Sequence, residues 1–231
     1  MRIDRKWRVI AGFTLLLTAT TGTSAAYQIV EFASHHNGNM QSQLINGGDY
    51  PTGNLVLGGV PFFIPTSGDN YWHAVNEVGS NPIELSLAVS IPQVTEVHTL
   101  MNTFWGVFPP SSRARIEFTG SGGAFHAVEL FGNVDIRDFN QNAAFPNNIN
   151  GTTTINVFNN GSSGQRLDKQ LFALPAIFAS ETLTEIKLID TGATNVQRIF
   201  LSGVTVQTVP LPSALLTLIA AVSCLFGFRR S

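Results

Sequence analysis

Residues 83–91 alternate strictly between apolar and polar side chains, and no other feature of the sequence limits the fold as much. Ile83, Leu85, Leu87, Val89 and Ile91 form the apolar set. Successive side chains of a β-strand point to opposite faces of a sheet, so this strand has one buried and one solvated face. The pattern predicts an antiparallel sheet that faces water on one side.

Residues 113–119 and 124–131 repeat this signal on both sides of a turn. Ala114, Ile116 and Phe118 alternate with charged residues, and residues 120–123 read Gly-Ser-Gly-Gly. Two strand patterns joined by a short glycine-rich segment are typical of a β-hairpin.

Further strands are expected at other short apolar segments, which Gly, Asn or Pro separate. They are residues 55–64, 94–105, 152–158, 167–174, 183–189 and 196–206. Outside the two termini the chain has no sustained helical periodicity. The sequence therefore predicts an all-β fold, an antiparallel β-sandwich or jelly roll.

The N-terminus has the composition of a secretory signal peptide. It begins with four positive charges, at Arg2, Arg5, Lys6 and Arg8. An apolar run follows up to about residue 20, and Ser-Ala-Ala stands directly before Tyr27. We expect residues 1–26 to form a signal helix that is removed on export.

The C-terminus consists of a proline motif, a short apolar run and a basic end. The motif is Val209, Pro210, Leu211 and Pro212, and the chain closes with Arg229, Arg230 and Ser231. The uncharged run between them, residues 214–228, is shorter than the ~20 residues that a comfortable bilayer span needs. The positive-inside rule would hold the two arginines in the cytoplasm.

This order resembles the PEP-CTERM class of bacterial sorting tails, in its Val-Pro-Leu-Pro variant. Val209 to Pro212 match the recognition motif and Arg229 with Arg230 match the basic end, whereas Ser213 stands where that variant usually has Ala. The resemblance implies a transient inner-membrane intermediate. An exosortase would then process the tail and release the body to the cell surface or the extracellular polysaccharide matrix. A plain C-terminal anchor helix is the alternative.

These features divide the chain into four parts. Residues 1–26 are the signal peptide, and residues 27–50 are a polar leader or a first strand. Residues 51–208 are the β-sandwich domain, and residues 209–231 are the sorting tail with its short transmembrane helix. The only cysteine, Cys224, lies in the tail, so the exported body is expected to lack disulfides and cysteine metal sites.

Removing both ends makes the body acidic. The whole chain has 13 basic and 15 acidic residues, and 7 basic and 14 acidic residues remain after the ends are removed. An acidic body has no cationic patch with which to displace the counterions of nucleic acid. We therefore expect no nucleic-acid partner, and neutral sugars, or cations that bridge to acidic polymers, fit better.

The body also resembles secreted bacterial galactose-binding-like sandwiches, at residues 97–106, 116–124 and 135–139. This resemblance spans about residues 55–206 and rests mostly on strands and turns. It implies a ligand-binding module, commonly for carbohydrate.

Catalytic motifs are absent from the sequence. It has no Gly-x-Ser-x-Gly elbow, no His-Glu-x-x-His, no Walker loop and no dinucleotide fingerprint. We expect no enzymatic activity and no cofactor. A glycan-processing hydrolase remains an alternative, because carboxylates that are distant in sequence can meet in space. A self-assembling surface protein without a small ligand is another.

The main polar candidate for ligand binding is the group Asp135, Arg137, Asp138 and Asn140. Carboxylate and guanidinium groups hold sugar hydroxyls, and the oxygens of Asp138 and Asn140 are suited to calcium. The other interpretation is an Arg–Asp ion pair that stabilises a loop.

Aromatic rings are the second candidate, since an exposed flat ring stacks on the apolar face of a sugar. Trp72, with His73 beside it, lies in a loop-like segment, and Trp105 precedes Gly106. Core packing is the alternative for both tryptophans. The histidines lack metal-ligand spacing, so we predict no metal site for them.

Overall fold

The computed structural model describes residues 26–44, 49–74, 82–160, 164–192 and 197–209. The predicted signal helix and the sorting helix, with Pro210, Leu211, Pro212, Arg229 and Arg230, lie outside these residues. Within the described ranges, no helix has the length and apolar character needed to cross a membrane.

The described residues form mostly strands. Their bounds are β1 (Ala26–Ile29), β2 (Gly53–Leu57), β3 (Val60–Ile64), β4 (Trp72–His73), β5 (Ile83–Pro92), β6 (Val94–Trp105), β7 (Ser112–Gly120), β8 (Phe125–Phe131), β9 (Thr154–Asn160), β10 (Gln165–Ala173), β11 (Thr182–Asp190) and β12 (Gln197–Thr208). The helical elements are α1 (Met40–Gln43) and two short 3₁₀ turns, Ala33–His35 and Ala176–Ser180.

These strands build two large sheets and a separate hairpin. The first sheet has the order β1-β12-β6-β10-β9, with β4 also paired to β12. The second sheet has the order β5-β11-β7-β8, and β2 pairs with β3 alone. The pairings of the named strands are antiparallel. The predicted all-β, antiparallel, sandwich-like fold is confirmed.

The alternation in β5 has the predicted effect. Leu85, Leu87 and Ile91 are buried, whereas Glu84 and Ser86 are exposed. The buried residues belong to one apolar cluster with side chains of both large sheets, which we call the sandwich core. Because only one face of β5 is apolar, this strand can sit only with that face toward the core.

The predicted hairpin of residues 113–131 is also confirmed. Strands β7 and β8 pair antiparallel. Between them Gly123 has a φ of 98°, a left-handed value that favours glycine.

One segment differs from its predicted form, and in another the structure contains one of the two predicted alternatives. Residues 55–64, expected as one strand, are part of a β2–β3 hairpin, because Gly58 and Gly59 have φ values of 56° and 79° and form its two-residue turn. Of the two alternatives for residues 27–50, the structure contains the strand, since β1 pairs with β12.

A second apolar cluster covers the other face of the first sheet. Alternate residues of β6 and β12, such as Leu100 and Phe200, point away from the sandwich core and meet the β2–β3 hairpin. We call this the outer cluster, and it consists of Met40, Leu44, Tyr50, Val60, Phe62, Ile64, Tyr71, Leu100, Phe139, Leu167 and Phe200. The central strands of the first sheet are therefore buried on both faces.

Candidate functional site

The connection between β8 and β9, residues 132–153, is a long segment with no named helix or strand. Ordered connections longer than about 15 residues without secondary structure are uncommon and are usually functional. This segment contains Asp135, Arg137, Asp138 and Asn140, the polar residues that the sequence singled out. We call it the 132–153 loop.

Side chains hold the first part of this loop in place. Asn133 has a φ of 62°, and its Oδ1 accepts hydrogen bonds from the backbone N–H groups of Asn147 and Asn148 at 2.7 and 3.0 Å. Asp135 Oδ2 accepts one from the N–H of Phe131 at 3.1 Å. Asp135 therefore stabilises a turn, where its carboxylate already has a backbone partner.

Arg137 joins the loop to β10. Its Nε and Nη2 donate to Asp168 Oδ2 and Oδ1, each at 2.6 Å, and its Nη1 donates to the carbonyl of Asn147 at 3.2 Å. The Asp168 side chain is fully buried and also accepts from Asn102 Nδ2 at 2.7 Å. This bidentate pair matches the loop-stabilising interpretation, with a carboxylate that is distant in the sequence.

Arg166 makes a second connection from β10. Its Nε donates to the carbonyl of Asp138 at 3.0 Å, and its Nη2 donates to Asn147 Oδ1. Burial, and then the charge of Arg137, lower the pKa of Arg166 to about 10. The two arginines thus fix the backbone of the loop from beneath.

Asp138 lies at the junction of the loop and the end of β6. It is 3% exposed, and its carboxylate accepts hydrogen bonds from the backbone N–H groups of Trp105 and Asn140. Burial raises the pKa of Asp138 to about 6, although both N–H donors favour the charged form. The calcium hypothesis for Asp138 and Asn140 stays a prediction, and no group of three or more His, Cys, Asp or Glu residues suited to a metal occurs in the described part of the chain.

A groove opens beside this junction. Its empty volume, including the space open to solvent, is about 360 Å³. Seven residues line it: Phe104, Trp105, Asp138, Phe139, Asn140, Asn142 and Phe145. Aromatic rings with a few carboxylate and amide groups are suited to a ligand that has both apolar faces and hydroxyl groups. We call this space the Trp105 groove.

Trp105 itself has an unusual backbone. Its φ is 64°, and the φ of the next residue, Gly106, is 87°. The left-handed region is strained for a bulky side chain, and such strain clusters at binding sites and active sites. The ring of Trp105 lies 4.8 Å from the guanidinium carbon of Arg198.

The side chains of the two residues of β4 lie on opposite faces of the first sheet. Trp72 is 6% exposed and belongs to the sandwich core, so its ring is not available to stack on a sugar. His73 points the other way, and its ring centroid lies 6.1 Å from that of Phe104. Alternation along the strand explains this difference, which the loop-like sequence around Trp72 did not indicate.

Four of the predicted ligand residues therefore lie at one end of the outer face of the first sheet. Trp105, Asp138 and Asn140 line the Trp105 groove, and His73 contacts the ring of Phe104 beside it. Trp72, Asp135 and Arg137 have structural contacts instead.

Sequence reasoning missed several residues of this region: Phe104, Phe139, Asn142, Phe145 and Arg198. One available signal was the length of the segment between the strands predicted at 124–131 and 152–158. No local signal indicated Arg198, because the pairing of β12 with β6 brings it to the site.

Comparison with known proteins does not assign the chain to a family. No family model matches the chain, and no curated protein matches its sequence. The class established by the fold is an all-β, antiparallel, sandwich-like protein, and the function must be argued from the site itself.

Proposed function

We propose that this protein is an exported component of the cell envelope or extracellular matrix that binds carbohydrate in the Trp105 groove. Trp105 would stack on the apolar face of a sugar, while Asp138 and Asn140 would contact its hydroxyl groups. The mechanism is non-covalent binding, without catalysis and without a cofactor.

The observation that carries this proposal is the position of Trp105. A tryptophan with a φ of 64° lines a groove next to a buried carboxylate whose hydrogen bonds hold the Trp105 backbone. A ring that served only to fill space would not require a strained backbone. The strain therefore favours a functional role for the ring.

The export route rests on the two ends of the sequence. The signal peptide would direct the chain across the membrane, and an exosortase-type enzyme would process the tail near Val209 and Pro210. The finer assignments of a jelly roll and a galactose-binding-like domain belong to this proposal as well. Intact mass of the protein from its native cells tests the route, since a mass that retains residues 214–230 would contradict it.

Binding is tested by affinity electrophoresis of the full-length protein through gels that contain neutral or acidic polysaccharides. We expect Trp105→Ala to abolish the retardation of the wild-type protein. Phe125→Ala is the matched control, because Phe125 is 59% exposed on the second sheet, away from the groove. Equal retardation of both variants would contradict the proposed site.

The same samples test the hydrolase alternative. Products released from the polysaccharide, with release abolished in Asp138→Asn, would replace the binding proposal with an enzymatic one. Assembly that depends on protein concentration without sugar would favour the self-assembling alternative.

A further inference from the structure

Arg198 lies beside the Trp105 groove, on the outer face of the first sheet. The register of β12 and β6 places Arg198 directly opposite Phe104. Its guanidinium carbon lies 5.0 Å from the centroid of the Phe104 ring and 4.8 Å from that of Trp105. A cation held over two rings is oriented by their π faces, and this contact does not consume its N–H donors.

These donors have no partner in the described part of the chain. Arg198 forms no ion pair or hydrogen bond with any residue that the structure describes, and its Nε is buried without an acceptor. Arg115, Arg137 and Lys187, in contrast, have carboxylate partners. A buried donor without an acceptor is unfavourable unless water or a ligand supplies one.

Two buried acids of this region have backbone hydrogen-bond partners. Asp190 is within electrostatic range of Arg198, but its carboxylate accepts from the N–H groups of Gly192 and Ile199 at 2.7 and 2.6 Å. The carboxylate of Asp138 also accepts hydrogen bonds from two backbone N–H groups. The ion pairs of the described residues do not include one between Arg198 and either of these acids.

His73 adds a second nitrogen without a partner. Its Nδ1 is buried and makes no hydrogen bond. Burial, and then the positive charge of Arg198, lower the pKa of His73, and a hydrogen bond with the backbone of Asn37 opposes this shift. The unpartnered Nδ1 is a further polar atom that can form a hydrogen bond with a hydroxyl or carboxyl group of a ligand.

We infer that Arg198 and His73 form an anion subsite of the Trp105 groove, and that its ligand is a carbohydrate bearing a carboxylate. The sugar ring would stack at Trp105, and its carboxylate would meet the guanidinium fork of Arg198, a geometry that arginine forms bidentately. This inference rests on the proposed function and narrows its ligand from carbohydrate in general to acidic sugars.

The acidic charge of the body does not contradict a local anion subsite. Charges separated by more than about 8 Å are largely screened at physiological ionic strength. The net charge therefore weakens long-range attraction of an acidic polymer, whereas binding of one carboxylate depends on the groups that touch it. Added salt should accordingly alter the affinity only modestly.

The test compares polygalacturonate with its fully methyl-esterified form, which keeps the sugar backbone and removes the negative charge. We expect the full-length protein to bind the acidic form at least ten-fold more tightly in affinity electrophoresis. Arg198→Met should abolish this preference, so that the variant binds the acid and the ester equally. Arg198→Lys should restore only part of the preference, because lysine has the charge but lacks the fork.

Arg113→Met is the matched control. Arg113 is exposed on β7 of the second sheet and has no ion pair with a described residue, so its loss should not change the preference. Circular dichroism of each variant reports whether the fold is kept. If Arg198→Met does not fold, the preference of Arg198→Lys for the acid over the ester tests the inference.

The outcomes separate this inference from the function on which it rests. Equal binding of acid and ester that is still lost in Trp105→Ala would overturn the anion subsite alone. Tighter binding of a sulfated galactan than of polygalacturonate would overturn the carboxylate assignment. No binding of these polymers or of neutral polysaccharides would overturn the carbohydrate function itself.

Discussion

The sandwich core and the region beneath the 132–153 loop are both buried, but they are built from opposite kinds of side chain. In the core, residues such as Leu85, Phe118 and Leu188 are apolar and at most 2% exposed. In β10, Arg166, Asp168 and their neighbours from Gln165 to Gln170 are buried although most of them are polar or charged. The core is stabilised by the removal of apolar surface from water. The loop region depends on hydrogen bonds, each of which needs its specific partner.

This difference has a consequence for the site. An apolar core tolerates side chains of similar volume, whereas a buried ion pair is strongly destabilised when one partner is lost. The 132–153 loop is thus held in one conformation by Arg137, Arg166 and Asn133, and the Trp105 groove depends on that conformation.

The largest effect is expected for Asp168→Ala. It leaves Arg137 buried without its carboxylate and should lower the free energy of unfolding by about 3–5 kcal/mol. Leu188→Ala in the core should cost about 2–5 kcal/mol, which makes the two regions comparable in stability. Urea denaturation measures both. The surface pair of half-buried Lys187 and exposed Glu84 is the control, since Glu84→Ala should cost less than about 1 kcal/mol.

Asp138 should make the stability of the protein depend on pH. The pKa of Asp138 is about 6 in the folded state and ~4 in the unfolded chain. Between these pH values the folded state therefore binds more protons than the unfolded chain does. The contribution of Asp138 to stability is therefore greatest below about pH 4 and is lost as the pH rises through 6, by roughly 2–3 kcal/mol. Asp138→Asn should remove this part of the pH dependence in denaturation curves between pH 4 and 7.

Other groups also titrate in the same window, among them Asp190 and His98. The pKa of buried Asp190 is also raised to about 6, which acts in the same direction. Burial and then Lys169 lower the pKa of His98 to about 4, so its contribution is lost as the pH falls from 6.5 toward 4. Comparing wild type with Asp138→Asn cancels both. Parallel curves for the two proteins would show that Asp138 does not titrate there.

Gly203→Ala tests the packing between β12 and the outer cluster. A Cβ on Gly203 would lie 3.0 Å from Leu100 Cδ1 and 3.1 Å from Phe62 Cδ1, and both residues are fully buried. We expect a loss of about 1–3 kcal/mol, although alanine is usually favoured over glycine within a strand. The loss should shrink when Phe62→Leu is added, and additive costs would contradict this origin.

The smallest effect is expected in the difference in stability between two variants at Trp105. Both Trp105→Gly and Trp105→Ala remove the ring, but glycine adopts the φ of 64° without strain. Trp105→Gly should therefore be more stable than Trp105→Ala by about 1 kcal/mol in thermal denaturation. Equal stability would mean that the backbone relaxes when the ring is removed, which would contradict the proposed strain at Trp105.

The strands were predictable where one face is buried and the other is solvated. Residues 83–91 and 113–131 follow this pattern, and their strands match the expected positions within one residue or two. In β10 the prediction began at residue 167 and missed Gln165 and Arg166, because a strand buried on both faces by polar contacts has no alternating pattern. The turn at Gly58 and Gly59 was missed because the apolar residues around it read as one run.

The candidate site was predictable only in part. Asp138 and Asn140 were found because polar residues cluster there, and Trp105 because it precedes a glycine. Trp72 and Arg137 had equally suggestive neighbours, yet their side chains point to the core and to Asp168. Nothing within a few residues of either position distinguishes these outcomes.

Alternation and turn residues act over short distances, so the local sequence is enough to predict the all-β class, the β7–β8 hairpin and strand β5 at the edge of the second sheet. The local sequence does not indicate that Arg137 pairs with Asp168 or that Arg198 lies over Phe104 and Trp105. These contacts join segments far apart in the chain, and the register of paired strands brings them together. Register follows from how all the buried faces fit at once, which no single segment encodes.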